Sequence, residues 1–200
     1  MSNLSGRVFV SRAGEKLQFA FDQFGISVKD LVCADFGSST GGFTDCLIQN
    51  EANKVYPVDT SYGELAWKLR NDSRVVVMER TNAMHVELPP PSLKASEGQS
   101  EKMDLITIDV GWTKQKNILP NALKNLKEKG LIVSLIKPHY EASEKYLRNG
   151  KLLEEKIDEV LEQVKKDVEE AGGKIEKLIE SPILGEKGKN REFLALISNS

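Results

Sequence analysis

Short runs of β-branched and other apolar residues alternate along the chain with stretches whose apolar positions follow the helical period, the pattern of strands separated by helices. Runs at 31–36, 54–59, 74–78, 103–110, 131–136, 174–181 and 191–197 predict seven strands. Between them, residues 40–49, 62–70, 116–127 and 151–171 predict helices, the last stopped by Gly172-Gly173. A further helix at 13–24 precedes the first strand; Leu17, Ala20, Phe21 and Phe24 share one face, and Gly25 ends it. Residues 88–102, with three consecutive prolines, read as a surface loop because strand signals resume directly afterwards. The pattern predicts one α/β domain over residues 1–200: an open, mostly parallel sheet with helices on both faces. A hairpin through Gly185 and Gly188 would make the last strand antiparallel.

Composition sharpens this picture. With 29% charged and 40% hydrophobic residues the chain can bury a sizeable core, which excludes disordered and fibrous classes. The longest charge-free apolar run, 130–136, is far too short to cross a bilayer, and the N-terminus lacks an apolar signal core. A cytoplasmic protein with no membrane partner is the expectation. Cys33 and Cys46 lie in apolar surroundings without metal-site or redox spacing and are expected to be buried free thiols. His85 and His139 lack the neighbours a metal site needs, so no metal is expected. The net charge of −2 argues against a nucleic-acid partner until its distribution is considered. Residues 112–151 carry nine Lys/Arg against three Asp/Glu, whereas 152–180 carry five against ten. One segment could meet phosphate while the other faces solvent.

Ligands of such sheets bind beyond the carboxyl ends of the strands. The first strand runs into Asp35-Phe36-Gly37-Ser38-Ser39-Thr40-Gly41-Gly42-Phe43, a glycine turn opening a helix, where backbone can approach a ligand and free N–H groups attract an anion. The spacing is not that of a dinucleotide fingerprint. The second strand ends in Asp59, placed to accept hydrogen bonds from ribose hydroxyls. Together these indicate an adenosine-type ligand, with NAD and S-adenosylmethionine both open. The fourth strand leaves Asp109 at the rim and the fifth leaves Lys137. If the first helix packs back along the sheet and the last strand is antiparallel, Lys16 and Glu192 join them. An amine in a partly dry site beside a second cation gives up its proton more readily and can act on a hydroxyl, with carboxylates orienting the pair.

These residues resemble a known family. Ser11-Arg12-Ala13-Gly14-Glu15-Lys16-Leu17, the glycine turn through Asp45, Tyr62-Gly63-Glu64-Leu65-Ala66-Trp67-Lys68-Leu69-Arg70, Glu79-Arg80-Thr81-Asn82-Ala83, Ile136-Lys137-Pro138 and Asn190-Arg191-Glu192-Phe193 are similar to motifs of the TlyA-type group. That group, often labelled hemolysin, falls among the FtsJ-like RNA 2′-O-ribose methyltransferases. The resemblance implies a Rossmann-like class I methyltransferase fold, S-adenosylmethionine as donor, and ribosomal RNA or a ribosomal subunit as partner. It also implies that Lys16, Asp109, Lys137 and Glu192 form a catalytic tetrad. Asp35, Gly37, Ser38, Ser39, Thr40, Gly41, Gly42, Phe43, Asp59, Asn82, Ala83 and Asp109 would bind the cofactor. The group's N-terminal S4-type RNA-binding domain is expected to be lacking, because only ten residues precede Ser11. Other departures are Gly111-Trp112 after Asp109-Val110, His139-Tyr140-Glu141 where the group has Gln-Phe-Glu, and a linker shortened to Arg148-Asn149-Gly150. Trp112, Tyr140 and His139 lie where an extruded nucleotide could stack. A small-molecule or protein methyltransferase, or an S-adenosylmethionine-binding hemolysin-like protein without RNA activity, are the alternatives.

Overall fold

In the computed structural model, which describes residues 8–89, 102–185 and 189–200, the first helix is Ala13–Phe24. Gly25 adopts the left-handed conformation, φ 72°, and returns its N–H to Phe21 O, so the glycine stop works as the sequence predicts. The strands Val32–Phe36, Lys54–Val58, Met103–Ile108, Leu126–Ile136, Gly173–Glu180 and Phe193–Asn199 form one sheet. We number them β1, β2, β3, β4, β7 and β8. Their spatial order is β2-β1-β3-β4-β8-β7. The first four are parallel, and β8 runs antiparallel to both β4 and β7.

All five residues of β1 are buried, as a central strand covered on both faces requires. One face carries Leu17, Phe21, Phe24, Phe43 and Leu47 from the first helix and from Gly42–Gln49. The other carries Ile118, Leu119 and Ala122 from Gln115–Asn125 with Ile157, Val160, Val164 and Val168 from Ile157–Glu170. Cys33 and Cys46 are buried inside the first of these layers and form no disulfide. The edge strand β7 is mostly exposed along its length and alternates charges at Lys174, Glu176, Lys177 and Glu180, which discourages pairing with another chain.

Several elements differ in extent from the sequence pattern. Residues 74–78 run alongside β2 but meet it only through isolated parallel bridges at Val55–Val75 and Val58–Met78. Helix within 62–70 is confined to Trp67–Arg70, because Gly63 (φ 81°) interrupts the run. The long acidic helix starts at Ile157; before it stands a small hairpin, Leu147–Arg148 (β5) against Lys151–Leu152 (β6), turned by Asn149 and Gly150 at positive φ. Of the proline-rich loop, residues 90–101 lie outside the described residues, as does Gly188.

Buried Asn125 closes the helix preceding β4: its amide donates to Val86 O and Asn121 O, and its Oδ1 accepts from Leu88 N–H. Asn125→Ala strands the Leu88 N–H without a partner and should cost about 1–3 kcal/mol in urea-induced unfolding, with an unchanged slope. An unaltered midpoint would show that this network contributes nothing.

Candidate active site

The sheet order places β1 next to β3 while the chain departs from β1 towards β2, so a crevice opens between the carboxyl ends of β1 and β3. The glycine turn follows one strand and Asp109 the other. Gly37 (φ 86°) sits so near the second turn that an added Cβ would lie 2.5 Å from Asp109 O. Only glycine tolerates that contact together with that backbone conformation. Gly41 (φ 99°) is likewise closed in, by the side chains of Leu65 and Leu69.

A cavity of about 340 Å³ opens at this rim, lined by Ser11, Arg12, Lys16, Asp109, Lys137 and Glu192 among others. Gly37, Ser38, Ser39, Thr40, Gly42 and Phe43 complete its wall. All four residues expected to converge are therefore together. Lys16 Nζ donates to Glu192 Oε2 at 2.5 Å, and both side chains are more than nine-tenths buried. Lys137 Nζ pairs with Asp109 Oδ1 at 2.6 Å and donates to Val110 O at 3.2 Å. The geometry follows from the elements: Lys16 lies in the first turns of the first helix, Asp109 and Lys137 directly follow β3 and β4, and Glu192 directly precedes antiparallel β8.

A second cavity, about 390 Å³, shares Gly37, Ser39 and Asp109 with the first and extends past Asp59, Asn82 and Ala83. Asp59 Oδ2 accepts Ser39 N–H and its Oδ1 accepts Ser61 N–H, both at 2.8 Å. Asn121 Nδ2 donates to Ala83 O and Val86 O, which holds the far wall. Thr60, Ser61, Glu64 and Thr81 also line this space. The sequence reading missed them as site residues, although Thr60 and Ser61 directly follow Asp59. Ser61 Oγ is buried and has no hydrogen-bond partner among the described residues.

Asp35 does not reach either cavity. It is fully buried, with Oδ2 accepting Thr44 Oγ1 at 2.7 Å and Oδ1 accepting Thr107 Oγ1 at 3.0 Å. It thus ties the helix of the glycine turn to the strand that carries Asp109. Burial, reinforced by the charge of Asp109, raises its pKa to about 7 against the lowering effect of the two threonines.

Beyond Lys137, Trp112, His139 and Tyr140 form an aromatic shelf on a third cavity of about 620 Å³, with Lys114, Leu147 and Asn149. The Trp112 and Tyr140 ring centroids are 5.0 Å apart, those of His139 and Tyr140 4.0 Å. Trp112 is 82% exposed, so its ring is available for contact. Burial, followed by the charge of Lys137, lowers the His139 pKa to about 4 and leaves the imidazole neutral at pH 7. Lys114 of the basic stretch is held inwards by Glu141 O at 2.8 Å.

Comparison with known proteins shows the family to which the chain is similar. The family model described as FtsJ-like methyltransferase matches residues 9–197. Hemolysin A of Brachyspira hyodysenteriae is 39% identical over 189 residues, covering 94% of this chain and 75% of its own. The 16S/23S rRNA (cytidine-2′-O)-methyltransferase TlyA of Mycobacterium tuberculosis is 39% identical over 137 residues, 68% of this chain and 48% of that protein. A solved structure from Streptococcus thermophilus, named as a candidate hemolysin, superposes with a TM-score of 0.88 at 38% identity, over 98% of this chain and 70% of that one.

The Asp35 environment gives a pH test. Its folded pKa lies above the unfolded carboxylate value, so between about pH 4 and 7 the folded chain holds a proton that the unfolded chain has released. Its contribution to stability is largest at low pH and falls by about 1.4 kcal/mol per pH unit across that window, then levels off. Urea titrations of Asp35→Asn should show this slope removed relative to the parent. Parallel profiles for the two proteins would mean that Asp35 titrates normally.

Proposed function

This chain belongs to the FtsJ-like methyltransferase family, and from that premise we propose that it transfers the methyl group of S-adenosylmethionine to a ribose 2′-hydroxyl of RNA. Ribosomal RNA or a ribosomal subunit in the cytoplasm is the substrate in this reading. The observation that carries it is the convergence of the Lys16–Glu192 and Lys137–Asp109 pairs on the cavity that the glycine turn also lines.

The cavities suit this cofactor. A nucleoside with an amino-acid arm needs two connected spaces, and the two here share the turn residues Gly37 and Ser39. Asp59 would receive ribose hydroxyls, Asn82 and Ala83 would border the adenine, and the turn from Gly37 to Phe43 would cradle the methionine end. Bound, S-adenosylmethionine supplies a methyl group already activated by its sulfonium. What remains for the protein is to hold the nucleophilic oxygen in line and draw off its proton.

We assign that task to Lys137. Its Nζ donates to Val110 O and lies 2.6 Å from Asp109 Oδ1 in an ion pair, and of the three hydrogen-bonding positions of a lysine nitrogen at least one is open to an incoming hydroxyl. Lys16 adds a second positive charge at the same cavity, which favours proton transfer away from the hydroxyl oxygen. Asp109 and Glu192 fix both lysines and balance their charge. A protein or small-molecule nucleophile more acidic than a sugar hydroxyl would not need two such groups. The shelf of Trp112 and Tyr140 beside Lys137 offers a stacking surface for the base of the reacting nucleotide. The hemolysin name carried by relatives suggests a membrane role, but among the described residues no helix is long and apolar enough to cross a membrane.

Transfer of labelled methyl from S-adenosylmethionine should reach RNA and neither protein nor small-molecule pools. Lys137→Ala should lower that transfer by about 100-fold or more while leaving S-adenosylmethionine affinity in calorimetry within about threefold, the split expected when an interaction is made only in the transition state. Full turnover in the variant would move the proton-transfer role elsewhere, and label in protein alone would overturn the RNA reading.

A further inference from the structure

We infer that Glu64 is a second ribose-binding carboxylate, acting with Asp59 on the hydroxyls of the cofactor. The inference rests on the reading of the second cavity as the adenosine site.

Asp59 is the expected ribose ligand, yet each of its oxygens already accepts a main-chain N–H, from Ser39 and Ser61, and so shapes the loops around it. Its remaining lone pairs can still receive a hydroxyl, but the two O–H groups of a ribose call for more acceptor capacity than loop-holding leaves free. Glu64 lines the same cavity. Both carboxylates gather on one residue, Ser39: Asp59 accepts its N–H, and Glu64 Oε2 accepts its hydroxyl at 3.3 Å. That hydroxyl can rotate to another partner at little cost. Among the described residues no cation pairs with Glu64, in contrast to its neighbour Glu79, which is engaged by Arg70. An acceptor-only group at a cavity wall, without a cation and with one long hydrogen bond, is matched by a ligand that presents O–H donors.

The side chain is exposed but its main chain is held firmly. Gly63 N–H donates to Glu79 Oε1 at 2.8 Å, Arg70 Nε to Leu65 O at 2.9 Å, and Ala66 N–H to Thr40 O at 3.0 Å. Leu65 and Leu69 are buried against Gly41. The segment after β2 is therefore a strap fastened to the glycine turn, and it fixes the root of Glu64 beside the cofactor cavity. This explains why the Tyr62-Gly63-Glu64-Leu65 motif belongs with the glycine turn, although none of its residues lines the cavity of the lysine pairs.

The test is a binding cycle by calorimetry, using S-adenosylhomocysteine and its 2′-deoxy and 3′-deoxy analogues against the parent, Glu64→Ala and Glu64→Gln. A hydrogen bond to a charged group supports about a tenfold loss when either partner is removed. Glu64→Ala should weaken S-adenosylhomocysteine about tenfold, and one of the deoxy analogues should weaken the parent by a similar factor. In the alanine variant that same analogue should bind like the full ligand within about twofold, because the lost hydroxyl and the lost carboxylate are one interaction. Glu64→Gln, which keeps an acceptor, should recover most of the affinity. Additive losses with both analogues, or parental affinity in Glu64→Ala, overturn the role of Glu64 while leaving the cofactor assignment intact. Failure of the parent to bind S-adenosylhomocysteine or S-adenosylmethionine overturns the adenosine site, and this inference with it.

Discussion

The buried ion pair between Lys16 and Glu192 is the constraint on which the site depends. Its partners are 176 residues apart in sequence and meet at 2.5 Å with almost no exposure to solvent. Removing one member of a buried pair leaves an uncompensated charge, which typically costs about 3–5 kcal/mol, whereas an apolar replacement of both is often tolerated. A charged pair in this position is therefore not what a sheet of this kind needs for stability alone. It can form only if the first helix packs back along the sheet and the last strand enters antiparallel to β4, because those two features bring their ends to the rim where β1 and β3 finish. The global topology and the local chemistry thus impose the same geometry.

A second constraint acts through the backbone. Gly37 lets the turn after β1 press against Asp109, and Asp35 ties that turn to β3 through two threonine hydroxyls. Any shift of the glycine turn is consequently felt at Asp109 and, through the 2.6 Å contact, at Lys137. The strap after β2 closes against the same turn from the other side through Leu65 and Leu69. Cofactor cavity and lysine pairs are coupled by shared walls, Gly37, Ser39 and Asp109, rather than by a long relay of residues.

Much of this arrangement is legible in the amino-acid order, because strand ends are marked by local signals. The first helix and its glycine stop, the burial of β1, and the gathering of Lys16, Asp109, Lys137 and Glu192 all follow from periodicity and topology. What escapes the sequence depends on long-range packing. Residues 74–78 have strand character but lie at the outer edge beyond β2, where only isolated bridges form. Residues 62–70 have helical character, yet a positive-φ glycine and burial of two leucines against Gly41 turn most of the stretch into a strap. Asp35 looks like a ligand because it opens the glycine motif; its side chain points instead to Thr44 and Thr107, a choice set by the strand pleat and by neighbours far along the chain. The hairpin at Asn149-Gly150 carries a recognisable turn signal, but its second strand, Lys151–Leu152, falls at the start of the charge-rich stretch 151–171 whose periodicity reads as helix.

Action of the two lysine–carboxylate pairs on a ribose hydroxyl, and not on a base, is tested by the alkali stability of the product. RNA labelled with the methyl group of S-adenosylmethionine by this protein would be hydrolysed in alkali and its fragments separated by size. A 2′-O-methyl group removes the internal nucleophile that cleaves the adjacent phosphodiester, so the label is expected in alkali-resistant dinucleotides. Label confined to mononucleotides would place the methyl group on a base and contradict the proposed chemistry.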